Sequence, residues 1–246
     1  MKSVTKISGR IGSGSTKARK PHFAPKVKRH AEEIALNAAA YYRENGRAFP
    51  WRTARDPFHL TVAEILLQKT RAASVVSVYA SLVAEYPTAR ALSDADRDEV
   101  ELRLRPLGLS RKRASQLTRM ACIVCEAGEA IFDDWRRLLA DVPGLGAYAA
   151  RAIACFAKGE LVGIVDANIA RIERRVFRIA ARDPRTAIFQ RYADEVAFAA
   201  VDSRETNFGL LDLGALVCLP DPRCDVCPLD RICAKFGVKK RRNTLS

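Results

Sequence analysis

Between Val142 and Asn168 the chain reads VPGLGAYAARAIACFAKGELVGIVDAN, and three chemical devices share that stretch. Pro143-Gly144-Leu145-Gly146 forms a tight hairpin that opens an apolar helix. The first amides of a helix have no intrahelical acceptor, so the N–H groups around Gly144 and Gly146 suit a backbone phosphate. Tyr148 stands on the first turn of that helix. Asp166 ends the apolar run Val162–Val165 just before a further helix. A lone carboxylate after a buried run is costly unless it has a task. Capping the next helix is one such task and catalysis is another.

A second carboxylate, Glu64, stands in Leu60–Leu67, a segment with little polar face. On one continuous helix from Val62 to Tyr86, Glu64, Gln68 and Arg71 recur at i, i+4 and i+7 and form a polar line. That line is expected to face a cleft, where burial would raise the Glu64 pKa toward the range useful for proton transfer.

Cys218, Cys224, Cys227 and Cys233 read C-x5-C-x2-C-x5-C, with Pro220, Pro222 and Pro228 keeping the chain between them in loops. Four thiolates gathered by a short irregular loop suit an iron–sulfur cluster or zinc. Cys122 and Cys125 also read C-x2-C but lie in a helical pattern with no second pair nearby, and Cys155 sits among Ala152, Phe156 and Ala149 as a small core residue.

The elements that must position these groups are helical throughout. Periodic apolar spacing predicts helices over 30–45, 62–86, 94–104, 112–127, 135–140, 148–157, 167–180, 186–201 and 208–217. No strictly alternating run is bounded by turns, so the expected class is all-α. With 246 residues and 48% hydrophobic content the chain has ample material for a large core. Its 42 Lys and Arg against 28 Asp and Glu leave a net charge of +14, which points to a polyanionic partner, most simply nucleic acid. Seven cysteines, an odd number, with no secretory signal argue against a disulfide framework. No apolar run is long enough for a membrane span. Residues 1–24 read as a disordered basic arm and 238–246 as a basic tail carrying Lys239-Lys240-Arg241-Arg242. A cytoplasmic location is expected, nucleoid-associated in a bacterium.

Together these pieces resemble the helix-hairpin-helix glycosylases of base excision repair, the HhH-GPD superfamily of endonuclease III and the mismatch adenine glycosylase. The resemblance runs over about residues 30–236. It rests on Pro50-Trp51-Arg52, Asp56-Pro57-Phe58, Glu64–Thr70, Gly108-Leu109, Val142–Gly146, Val165-Asp166-Ala167-Asn168, Leu211–Ala215 and the cysteine array. It implies a six-helix barrel over 56–166 and a discontinuous iron–sulfur module made of 25–55 and 167–237, with double-stranded DNA across the cleft between them. It also implies a 4Fe–4S cluster rather than zinc on Cys218, Cys224, Cys227 and Cys233, although the first spacing is one residue shorter than the family's usual six.

By the same resemblance Asp166 would stabilise the sugar's positive charge as the base leaves, and Glu64 would handle the proton. Bifunctional relatives carry Lys where this chain has Tyr148, and that Lys attacks the sugar as an amine. Tyr148 therefore implies a monofunctional enzyme that leaves an abasic site. Gln68 and Lys69 resemble the wedge that fills the gap left by a flipped nucleotide. Gly144 and Gly146 would hold a phosphate, and Arg113, beside Arg111 and Lys112, would add charge at the far edge of the cleft.

Arg113-Ala114-Ser115-Gln116-Leu117 and Val165–Asn168 look closest to the short thymine/uracil–guanine mismatch glycosylases. Adenine glycosylases share Glu64 and Asp166, but usually carry a further C-terminal domain for which this chain, ending at Ser246, leaves no room. The expected function is excision of thymine or uracil opposite guanine by a single chain. Adenine excision is the alternative, and a DNA-binding redox sensor that cuts nothing is a third reading. That last reading sits poorly with two carboxylates facing a phosphate-rich ligand.

Overall fold

A computed structural model describes residues 23–238. The basic arm falls almost wholly outside them, and the basic tail does so from Lys239 onward. Among the described residues there are twelve α-helices and no strand. They are Pro25–Asn45 (α1), Pro50–Thr53 (α2), Pro57–Leu67 (α3), Ala72–Glu85 (α4), Ala89–Ser93 (α5), Arg97–Leu104 (α6), Ser110–Ala127 (α7), Trp135–Asp141 (α8), Ala147–Lys158 (α9), Ala167–Phe177 (α10), Ala187–Ala199 (α11) and Ser203–Leu216 (α12). The all-α expectation is met, and no helix of the described residues is long and apolar enough to cross a membrane.

Local chemistry explains most of the helix starts. Asp56 accepts the amides of Phe58 and His59 and Pro57 supplies the first turn, so α3 starts five residues before the apolar periodicity is evident. Asp96, Asp134 and Asp202 cap α6, α8 and α12 in the same way. The cap at Asp202 moves the start of α12 from the expected 208 to Ser203.

The largest departure lies at residues 68–71. The expected helix over 62–86 is two helices, because the first stops at Leu67 and Lys69 takes a left-handed φ of 55°. Apolar residues continue across the break, which is why periodicity alone does not reveal it. Gln68 and Arg71 flank the break instead of continuing the Glu64 face, so the expected three-residue line on one helix does not exist.

Helices α3 to α9 pack on one another, and α1 packs against α11 and α12, with α10 joining them. One apolar core runs through both groups, from Ile34 and Leu213 to Leu117 and Ile153. The close approach of α1 to α12 depends on Gly209, where any Cβ would overlap the carbonyl of Ala38.

Candidate functional site

A pocket of about 600 Å³ opens between the two groups of helices. Glu64, Gln68, Lys69, Gly144, Gly146, Tyr148 and Asp166 all line it, although they come from three separate stretches of the chain. Glu64 arrives on α3 with only 8% of its surface exposed. No partner meets its carboxyl among the described residues, and burial alone pushes its pKa up to about 8. At neutral pH Glu64 therefore carries a proton that it can give away.

Asp166 is both a cap and a pocket residue. Its Oδ1 accepts the Ile169 amide at 2.7 Å, closing the first turn of α10, and its Oδ2 accepts from Asn168 Nδ2 at 3.0 Å. Burial raises its pKa, and these hydrogen bonds together with nearby Arg171 pull the other way. Tyr148 lines the same pocket, within electrostatic reach of both acids. Its phenol is held well above its usual pKa of 10, first by burial and then by the charges of Glu64 and Asp166. It thus stays a neutral hydroxyl.

The segment leading to Asp166 is extended but has no strand beside it. Side chains satisfy its backbone instead. The Gly163 amide donates to Asp194 Oδ1 at 3.0 Å, and the Gly163 carbonyl accepts from Arg151 Nε at 2.8 Å and Gln190 Nε2 at 2.9 Å. Asn207 accepts the Ile164 amide and donates to the Val162 carbonyl. Gly163 is required here because a Cβ would run into the backbone of Ala193.

Gln68 Nε2 donates to the Gly144 carbonyl at 3.0 Å, tying the turn after α3 to the hairpin before α9. Gly144 has a φ of 78°, which favours glycine, and the Gln116 amide packs close against it. Arg113, expected to add charge at the far edge of the cleft, is placed inside the protein. Its guanidinium donates to the carbonyls of Leu107, Gly108 and Gln68 and to the Thr70 hydroxyl. Both terminal nitrogens are engaged in holding two turns together.

Sequence reading missed several groups. Leu109 stands in one of the turns held by Arg113, 59% exposed with φ 50°. An apolar side chain presented to solvent from such a backbone is unusual. Pro50-Trp51-Arg52 was legible as a motif without a role. In the structure Arg47, Trp51 and Arg52 line the pocket, and Asp212 holds both arginines. Burial would raise the Asp212 pKa, but the arginines and the Arg47 amide keep it below the ordinary carboxylate range. The only advance signal was Arg52 and Asp212 falling in motifs far apart in the chain.

Cys218, Cys224, Cys227 and Cys233 line one small cavity with Arg175. Burial lifts Cys227 to about 11, with the other three thiols adding to the rise, and Cys233 shifts the same way. Arg175 Nη1 meets Cys218 Sγ at 3.1 Å, and the Lys235 amide points at Cys233 Sγ at 3.4 Å. N–H groups aimed at sulfur suit thiolates bound to a cation. Among the described residues no set of three His, Cys, Asp or Glu is gathered tightly enough to hold a single metal ion. An all-thiol set lining one small cavity suits an iron–sulfur cluster or zinc. Cys122 and Cys125 are exposed on α7, and Cys155 is a buried core residue, its pKa raised to about 11 by burial.

A chain of hydrogen bonds joins the pocket to this array. Asn168 bonds Asp166, Arg171 Nη2 donates to Asn168 Oδ1 at 2.8 Å, and Arg171 Nε donates to the Cys218 carbonyl at 2.6 Å.

Residues 62–198 match the family model described as HhH-GPD superfamily base excision DNA repair protein. The chain is 33% identical over 220 residues to the adenine DNA glycosylase of Mycobacterium tuberculosis, covering 85% of this chain and 71% of the relative. It is 29% identical over 200 residues to the thymine/uracil-DNA glycosylase of Methanothermobacter thermautotrophicus, covering 80% of this chain and 90% of the relative. Among solved structures, a thermostable thymine-DNA glycosylase superposes with a TM-score of 0.77 at 28% identity, covering 85% of this chain and 97% of that one.

Proposed function

We infer the activity from an established premise: the chain belongs to the HhH-GPD superfamily of base excision DNA repair proteins and is a DNA glycosylase of that family. Our reading is that it excises thymine or uracil opposite guanine from double-stranded DNA by hydrolysis, acting as a single chain and leaving an abasic site. The nucleotide would leave the stack and enter the pocket, with the side chains of Gln68 and Lys69 taking its place. Amides at the Gly144–Gly146 hairpin would grip a phosphate of the same strand.

As the base departs, the sugar gathers positive charge. Asp166, fixed by Ile169 and Asn168, would lie beside it as the stabilising anion. Glu64, protonated at neutral pH by burial, would pass its proton toward the departing base and then accept one from the attacking water. Tyr148 would orient the sugar between the two acids.

One observation carries the monofunctional reading: the pocket residue that accompanies both carboxylates is Tyr148, a phenol and not an amine. It cannot form a Schiff base with the sugar. Cys218, Cys224, Cys227 and Cys233 would hold a 4Fe–4S cluster. When bound, that group supplies a rigid brace for the loop and a one-electron couple. The repair role goes with a cytoplasmic, nucleoid-associated location.

Adenine excision is the second reading, favoured by the 33% identity to an adenine DNA glycosylase. Single-turnover assays on duplexes holding G·T, G·U, or A opposite 8-oxoguanine separate the two. The expected result is excision at G·T and G·U, with strand breakage only after alkali. Excision confined to A overturns the substrate reading, and breakage without alkali overturns the monofunctional one. Iron analysis and visible absorbance of the purified protein test the cluster.

A further inference from the structure

A second cavity, of about 470 Å³, opens beside α10 and is lined by Ala167, Arg171, Arg174, Arg182, Phe189 and Gly237 among others. No carboxylate of the described residues lines it. Of the acids adjacent in sequence to its lining residues, Asp166 faces the main pocket, Glu173 is buried, and Asp183 is paired with Arg185 at 2.7 Å.

The arginines do not share one role. Arg171 turns its donors inward to Asn168, Gly214 and Cys218, and so forms a wall. Arg174 is held in place without being satisfied. Its guanidinium lies 5.2 Å from the centre of the Phe236 ring, and its Nε is buried with no hydrogen-bond partner among the described residues. Gly237, at φ 75°, leaves the room: a Cβ there would stand 2.7 Å from Arg174 Nη1. Arg182 is exposed at the rim, and no acceptor meets it among the described residues. The Nε of Arg174 is itself covered, so a ligand oxygen in the cavity would meet that residue's terminal nitrogens, beside Gly237.

We propose that Arg174 and Arg182 form a second phosphate site, which takes a phosphodiester of the DNA strand whose extruded nucleotide occupies the main pocket. The proposal rests on the glycosylase reading. The cavity begins at Ala167, the residue after Asp166, and at a rise of about 1.5 Å per residue Arg174 lies roughly 12 Å along α10 from that acid. That spacing reaches past the phosphates next to the extruded sugar to one further along the strand. A guanidinium fork matches two phosphate oxygens.

The test uses the full chain and compares wild type with Arg174→Gln, Arg182→Gln and the double variant. Duplex affinity is measured against salt concentration, and single-turnover excision is measured at saturating duplex. Removing one arginine–phosphate pair should flatten the slope of log K on log salt by about 0.9. We expect a flattening of that size, a threefold to tenfold loss of affinity for the double variant, and an unchanged excision rate at saturation. Unchanged slope and affinity in the double variant overturn the site. If Arg174→Gln does not fold, the rim variant Arg182→Gln alone decides. A second arm titrates inorganic phosphate by calorimetry. Saturable submillimolar binding lost in the double variant, with duplex affinity unaltered, would assign the cavity to free phosphate and overturn the strand assignment. Failure of the wild type to excise any base, with the salt slopes as expected, would refute the glycosylase reading and leave the phosphate site standing.

Discussion

Arg171 and Cys218 are joined by a hydrogen bond of 2.6 Å from the guanidinium Nε to the backbone carbonyl, and the same guanidinium holds Asn168, the residue that bonds Asp166. The pocket carboxylate and the first cysteine of the array therefore share one rigid side chain. Arg171→Lys keeps the charge but cannot span three acceptors. It should lower stability by about 2 kcal/mol and slow excision at least tenfold. Thermal melting and single-turnover rates check this, and wild-type rates in the variant would show that the link positions nothing.

Asp166 caps α10 and lines the pocket, and two substitutions separate those duties. Asn caps a helix nearly as well as Asp, whereas Ala costs about 1 kcal/mol. Asp166→Asn should melt close to wild type, bind duplex normally and lose excision by roughly a thousandfold or more, an effect of the size of losing a main electrostatic stabiliser. Asp166→Ala should lose both. Excision retained in the Asn variant would refute the anionic role.

Glu64 sets a pH dependence whose sign is fixed by burial. Its folded pKa of about 8 lies above its ordinary value of 4.5, so the folded protein holds the proton more tightly. The resulting stability is complete below pH 4.5 and is lost as pH rises through about 8. The slope is at most about 1.4 kcal/mol per pH unit. Denaturant unfolding at pH 5 to 9 should show this fall in the wild type and a flatter profile in Glu64→Gln. Excision by the wild type should decline above about pH 8, in parallel with loss of the proton.

Asp194 anchors the approach to Asp166 through the Gly163 amide and pairs with Arg151. Asp194→Ala strands a largely buried arginine, so a loss of roughly 3 kcal/mol is expected. Asp194→Asn retains an acceptor for the amide and should cost less. If both leave excision per folded molecule untouched, the extended segment does not need this clamp.

Gly209 lets α1 lie against α12. Gly209→Ala should separate them and cost about 3 kcal/mol, as overpacking does where helices meet closely. Chemical denaturation measures it. A neutral result would mean that the two helices part without penalty.

Much of the site was readable because its signals are local. The hairpin, the cysteine spacing and the Asp before α10 each follow from a few adjacent residues whose backbone chemistry does not depend on distant partners. Glu64 was readable as an acid in an apolar helix, because a charge there needs a reason. The break at Gln68–Arg71 was hidden because apolar residues run straight through it. What bridges it is Arg113, 45 residues beyond Gln68, donating to the Gln68 carbonyl and the Thr70 hydroxyl. For the same reason Arg113 looked like a surface charge. Nothing in its neighbours says that acceptors from two turns will converge on it.

Taken alone, the residue order determined the helical class, the family likeness and the types of group available for chemistry, since these rest on periodicity and short-range spacing. Tertiary structure decided which of those groups meet. It brought Glu64, Tyr148 and Asp166 into one pocket, buried Arg113 and gave Asp212 its two arginines. The reason is physical: burial and long-range hydrogen bonds are properties of a packed interior, and they set the charge state and the partners that sequence spacing cannot express.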